Sequence, residues 1–256
     1  MQINEQKGDT EILLSKSTRD LVMSDKIPVN CGIANTPTSY LIVGKPSSGK
    51  SHFLESYVKK QMRTGSGKAT CFDSIYVICP ESSQSSYDKS FVCDCDPDKV
   101  YDELNIANLT EVYDGICETK ALGDDSSKKN DNFYSLLIID DCASELKEKR
   151  VEKLLLKMLR NHRHIHATIM IVSQNYMATS KNCRDCIRNL VQFSTTNIKE
   201  KEKIRFEWLA QFKTNEFDRF WDFLFKDQKY QFLQCDRKTD AIYKTFNKIE
   251  VSGIDR

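Results

Sequence analysis

Short apolar runs alternate with longer segments of mixed polarity. Tyr40-Leu41-Ile42-Val43 and Leu136-Leu137-Ile138-Ile139 are unbroken, which suits strands covered on both faces in a parallel sheet. Ser74–Cys79 reads as another strand, stopped by Pro80, and Ala167–Val172 and Asn189–Ser194 as two more. Helical stretches separate them. One runs from about Lys50 to Met62 and is closed by Gly65-Ser66-Gly67. A second covers Asp102–Leu122. A third covers Glu145 to about Asn161, with Val151, Leu154, Leu155, Met158 and Leu159 at helical spacing. Strands alternating with helices predict an α/β fold whose mostly parallel central sheet is flanked by helices.

The flanks differ from this core. Residues 1–37 read as an N-terminal extension, with a short helix over Glu11–Met23 and Pro28 and Pro37 before the first strand. Residues 38–200 form the core, and 201–256 form a C-terminal segment packed on it. Lys203–Lys226 is rich in aromatic residues and predicts one or two helices packed on the sheet, with an interface role as the alternative. Tyr230–Cys235 and Ala241–Phe246 predict a hairpin around Asp236-Arg237-Lys238-Thr239. Glu81–Lys89 reads as a polar loop at the ligand-binding edge, and Gly123–Asn132 as a connector.

Chemistry enters at Gly44-Lys45-Pro46-Ser47-Ser48-Gly49-Lys50-Ser51, directly behind the first strand. These residues match the P-loop pattern at every fixed position, in the strand-then-helix context it needs. Gly44 and Gly49 let the backbone wrap a phosphate chain, and the helix start supplies positive dipole. Lys50 is placed to reach the β- and γ-phosphates of ATP, and Ser51 to hold Mg2+. Asp140 and Asp141 close the Leu136–Ile139 strand. Asp140 is the second candidate for Mg2+, through water, and Asp141 the candidate that polarises the attacking water. An acidic pair can also simply close a strand and cap the next helix. Gln174 ends the Ala167–Val172 strand and is the candidate phosphate sensor, against plain strand-end chemistry. Arg163 stands where a ring-forming ATPase could present an arginine to its neighbour's γ-phosphate, against a plain surface arginine or one that contacts nucleic acid, and Arg160 competes for that role.

These residues resemble, in order and spacing, the genome-packaging ATPases of poxviruses and other large DNA viruses, virophages and Polintons, within the FtsK–HerA group of P-loop NTPases. The resemblance covers about residues 38–200, with a weaker echo to about 247. It rests on the Asp140-Asp141 pair, the Arg163-His164 step and the strand ending in Gln174 more than on the generic P-loop. It implies an ATP-driven ring that threads double-stranded DNA into a preformed capsid, with ATP and Mg2+ as cofactors. The implied partners are DNA, a capsid or portal-vertex protein and further copies of the chain. The implied place is the host-cell cytoplasm or a virus factory, or the virion itself. Asp141 stands where cellular members carry Glu.

Composition adjusts this picture. Hydrophobic residues make up 39% of the 256, enough for a real core. No apolar run is long enough to span a membrane, and Met1-Gln2-Ile3-Asn4-Glu5 lacks signal-peptide character, so a soluble, non-secreted protein is expected. Ten cysteines in such a chain are expected as thiols. Cys183/Cys186 and Cys93/Cys95 do not supply four properly spaced zinc ligands, and His162, His164 and His166 read as a polar loop. The net charge of +1 leaves DNA contact to a local basic face. Candidates are the Lys147–Arg163 helix and the Lys199–Arg205 run, each interleaved with Glu as a salt-bridged surface would be. Two other functions compete: a nucleotide-dependent assembly protein without turnover and, more weakly, a small-molecule kinase, whose arginine-rich lid would have only Arg184 and Arg188.

Overall fold

A computed structural model describes residues 2–6, 34–61, 71–84, 95–124, 133–226 and 229–252. The predicted helix over Glu11–Met23, the Gly65–Gly67 stop, Cys93 and most of the 123–132 connector lie outside them. In chain order the elements are β1 (Gln2–Gln6), β2 (Ser39–Val43), α1 (Lys50–Lys60), β3 (Ser74–Ile78), α2 (Glu81–Gln84), β4 (Val100–Tyr101) and α3 (Ile106–Asp124). Then follow β5 (Ser135–Asp140), α4 (Lys149–Asn161), β6 (Ala167–Ser173), α5 (Lys181–Cys186) and β7 (Asn189–Phe193). The last are α6 (Ile198–Trp208), α7 (Thr214–Phe225), β8 (Phe232–Asp236), β9 (Ala241–Lys244) and β10 (Asn247–Ser252).

The strands form one ten-stranded sheet in the order β1-β10-β9-β8-β7-β2-β6-β5-β3-β4. From β7 to β4 every pairing is parallel, and from β7 to β1 every pairing is antiparallel. Side chains alternate between faces along each strand. Leu41, Val43, Leu137 and Ile139 point to the face covered by α3, α4, α6 and α7. Tyr40, Ile42, Leu136 and Ile138 point to the other face, where Phe53, Leu54 and Tyr57 of α1 cover them. Burial on both faces is why β2 and β5 are unbroken apolar runs. Register carries the functional consequence. Val43 pairs with Ser173, and Asp140 with Val172, so the residues after β2, β5 and β6 emerge at one edge of the sheet.

Several elements differ from expectation. Glu81–Gln84 is helical, with Ser83 and Gln84 amides returning to the Pro80 carbonyl. The helix expected over 145–161 is broken. A 3-10 turn at Glu145–Lys147 buries Leu146, Glu148 becomes extended (ψ 124°), and α4 starts afterwards. The second hairpin strand stops at Lys244 because Thr245 turns back at φ 59°, and β10 continues the sheet. Residues Gln2–Gln6, inside the stretch read as an extension, form an edge strand on β10. The aromatic segment folds as two helices. Phe217, Phe220, Trp221 and Leu224 of α7 lie at helical spacing and are buried against the sheet, whereas Phe206 of α6 is exposed. Among the described residues no helix is long and apolar enough to cross a membrane.

Candidate functional site

The P-loop leaves β2 at Gly44, whose amide donates to the Ser173 carbonyl at 3.1 Å and ties the loop to β6. Two backbone conformations then make the tight wrap. Ser47 has φ 59°, and Gly49, which opens α1, has φ 108°. The first amides of α1 have no partner within the helix, as at any helix start, and are available to an anion. Lys50 folds back over the loop, with Nζ donating to the Gly44 carbonyl at 2.9 Å and to the Lys45 carbonyl at 3.1 Å. Burial lowers its pKa, and the negative charges of Asp140 and Asp141 oppose that shift. A partly buried ammonium held on carbonyls beside two carboxylates is a cation ready to be passed to phosphate.

Asp140 ends β5 and is 8% exposed, close to fully buried. Asp141 steps into the left-handed region at φ 56°, its amide donating to the Val172 carbonyl. That kink turns its side chain into the cleft, where both carboxylate oxygens receive donors. Gln174 Nε2 donates to Oδ1 at 3.0 Å, and Ser83 Oγ donates to Oδ2 at 3.0 Å. A non-glycine residue at positive φ is sparsely populated and is held only where neighbours fix it.

Pro46, Ser47, Gly49, Lys50, Ser51, Asp140, Asp141 and Gln174 thus line one open cleft of about 530 Å³ together with His52, Ser82, Ser83 and Tyr230. The cleft lies at the C-terminal ends of parallel strands, the usual ligand edge of such sheets. Its donor set fits a polyphosphate with a divalent ion: backbone amides and one lysine for phosphate oxygens, and Ser51 and Asp140 as hard oxygen ligands. Cys79, directly after β3, is buried in the core below the cleft, and burial, then the two aspartates, push its thiol up to about 12.

Tyr230 was not legible as a site residue, and for Ser83 only the place of its segment, 81–89, at the ligand-binding edge was. Ser83 carries no motif, and only the pairing of β3 beside β5 brings α2 over Asp141. Tyr230 comes from the far end of the chain, by way of the antiparallel strands.

Arg163 is not in this cleft. It is exposed on the turn before β6, at the opposite edge of the sheet. Seven residues of β6 separate that edge from Gln174, about 20 Å at roughly 3.3 Å per residue. Arg163 therefore cannot serve its own chain's cleft. The same turn holds His162 and His166, whose pKa values burial lowers. Among the described residues no group of three or more His, Cys, Asp or Glu is arranged to hold a metal ion. Cys183 is buried on α5, and burial, partly offset by Ser180, raises its thiol to about 11.

A family model described as the Poxvirus A32 protein matches residues 32–211. Among solved structures, the chain is similar to the DNA-packaging ATPase B204 from Sulfolobus turreted icosahedral virus. Identity is 18% and the TM-score 0.57, over 82% of this chain and 98% of that one. The genome packaging NTPase B204 from Sulfolobus turreted icosahedral virus 2, solved in complex with ATP-gammaS, gives a TM-score of 0.56 at 17% identity with the same coverage. EssC (ATPases 2 and 3) from Geobacillus thermodenitrificans gives 0.52 at 10% identity, over 98% of this chain and 48% of that one. At these identities the likeness establishes a shared fold. No curated protein matches in sequence.

Proposed function

The chain belongs to the poxvirus A32 protein family, and from that premise we propose that it is an ATP-hydrolysing motor that moves double-stranded viral DNA into a preformed capsid. One observation carries the reading. The P-loop, Asp140, Asp141 and Gln174 converge on a single cleft, with Gln174 and Asp141 in direct contact.

The roles follow from position. Backbone amides of 49–51 and the Lys50 ammonium bind and orient the phosphate chain of ATP. A magnesium ion held between Ser51 and Asp140 would neutralise charge developing on the phosphates. Asp141 orients the attacking water and accepts its proton. Ser83 and Gln174 fix the Asp141 carboxylate, and Gln174, at the tip of β6, couples it to the terminal phosphate. Arg163 acts on a neighbouring subunit's nucleotide, because its place at the opposite edge of the sheet keeps it from its own. That reading requires a homo-oligomeric ring.

The DNA face is assigned to α4. Arg150, Lys153, Lys157 and Arg160 are all exposed and lie on one side of the helix at three- and four-residue spacing, along a groove lined by Leu154 and Leu156, with the Lys157 ammonium also over the Tyr113 ring. The Lys199–Arg205 run is less available. Lys203 pairs with Glu207, Lys201 lies over the Trp221 ring, and Arg205 donates to the Phe212 carbonyl. Contacts from the α4 stripe reach phosphates rather than base edges, so grip is blind to sequence and sensitive to salt. A capsid or portal protein as docking partner, and the host-cell cytoplasm or virus factory as the place of action, accompany the same reading.

Phosphate release from the purified protein, with and without double-stranded DNA, tests it. Turnover stimulated by DNA and lost in Lys50→Ala and Asp141→Asn is expected. Tight ATP binding without turnover in either condition overturns the motor in favour of a nucleotide-ordered assembly protein.

A further inference from the structure

The phosphate end of the cleft is fully furnished, but the sequence offers no signature for the nucleotide base. Tyr230 supplies one in the fold. The residue is 64% exposed, whereas the neighbouring Phe193 and the rings packed with it, Phe53 and Phe232, are only 2%, 2% and 4% exposed in that order. Phe232 packs edge-on to Phe53 at 5.2 Å and tilted to Phe193 at 5.4 Å, which fixes the start of β8 two residues beyond Tyr230. Tyr230 itself sits at φ 67°, a conformation that bulky residues rarely adopt. It lies against the P-loop. A Cβ built on Gly49 would meet Tyr230 Cδ1 at 3.4 Å and Phe193 Cε1 at 3.3 Å.

The sheet order decides which end of a nucleotide reaches it. Asp141 follows β5, two strands from β2 on one side, and Tyr230 precedes β8, two strands from β2 on the other. The P-loop lies between them. A nucleoside triphosphate whose terminal phosphate faces Asp141 and Gln174 extends its base away from them, toward the β8 flank. His52, directly after Ser51, is exposed and lines the same cleft.

We propose that Tyr230 is the stacking platform for the base of the bound nucleotide, with His52 bordering the same subsite. This rests on the nucleotide-binding reading of the P-loop. Stacking uses the π-face that every base presents, so the subsite favours purines for their larger face and separates ATP from GTP only weakly.

Competition binding with two ligands, ATP and inorganic tripolyphosphate, tests this on the wild type, Tyr230→Ala, Tyr230→Gly, Tyr230→Phe and Lys50→Ala. Tyr230→Gly accepts the positive φ without strain, so it separates the ring from the backbone. The Ala and Gly variants should bind ATP roughly ten-fold more weakly while binding tripolyphosphate as the wild type does, and Phe should retain ATP affinity. Lys50→Ala should weaken both ligands. An equal loss of both ligands in Tyr230→Gly, or no loss of either, overturns the stacking role. A wild type that binds neither ligand overturns the nucleotide-binding reading itself.

Discussion

Replacing Glu207 by Gln should destabilise the protein at neutral pH far more than an isosteric surface change. Glu207 lies on α6 and accepts a bidentate pair from Arg184, Nε and Nη2 each at 2.9 Å. The Arg184 side chain is 3% exposed and that of Glu207 9%. Tyr176 OH adds a third donor at 2.6 Å, Trp208 Nε1 donates to the same hydroxyl at 2.8 Å, and Arg184 Nη1 donates to the Thr179 carbonyl at 2.5 Å. Burial alone would raise the Glu207 carboxyl, but the hydrogen bonds from Arg184 and Tyr176 outweigh it and hold the pKa at about 2, against an ordinary 4.5. At 1.36 kcal/mol per unit this is about 3 kcal/mol. Removing one partner of a buried pair costs ~3–5 kcal/mol by a separate route, because the other charge is left unpaired. The two agree, and in a chain of this size the loss lowers Tm by about 10 °C.

A depressed carboxyl stabilises the fold fully above its unfolded value of 4.5 and loses that contribution as pH falls toward 2. Urea unfolding followed by circular dichroism should therefore show a gap of about 3 kcal/mol between wild type and Glu207→Gln at pH 7, shrinking below pH ~4.5. The apolar double variant Arg184→Met with Glu207→Leu should recover much of the loss. A gap under about 1 kcal/mol at pH 7, as for an exposed pair, or one unchanged down to pH ~3, refutes the reasoning. The network matters for function because Tyr176 follows Gln174 by two residues, so a loosened clamp should reduce kcat more than ATP affinity.

Gly44→Ala should abolish nucleotide binding, since its Cβ would lie 2.4 Å from Ser48 Oγ and 2.8 Å from Phe193 Cβ and displace the loop, and should also lower Tm because Phe193 Cβ is fixed to β7; ATP titration beside a melting curve checks both. Reversing Arg150, Lys153 and Lys157 to Glu should remove stimulation by DNA and flatten the salt dependence of DNA binding, with basal turnover retained, as read by phosphate release across a salt series. Mixing Lys50→Ala with Arg163→Ala, each inactive, should restore part of the activity if Arg163 acts across a subunit boundary; no recovery at any ratio would remove that assignment.

Much of the site was legible because its chemistry is local. Gly44–Ser51 and Asp140-Asp141 each sit at the end of an unbroken apolar strand, and burial on both faces makes such strands conspicuous. What joined them was not local. The contacts of Asp141 with Gln174 and Ser83 depend on the register of β5, β6 and β3, which no short motif encodes. The edge strands were hidden for a related reason. Asn247–Ser252 carries only Ile249 and Val251 as apolar residues, too short an alternation to stand out, and the left-handed turn at Thr245 that sets it beside β9 has no glycine to announce it. The break at Glu148 left one sign in the sequence: Leu146 is out of phase with Val151, Leu155 and Met158 on a continuous helix, and it packs from a separate turn instead.

Displacement of a DNA triplex by the purified protein tests the motor most directly, since the third strand is released only when an enzyme moves along the duplex beneath it. ATP should drive release, while a non-hydrolysable analogue and Lys50→Ala should give none. ATP turnover stimulated by duplex DNA without any third-strand release would contradict translocation and leave a DNA-dependent ATPase that does not move.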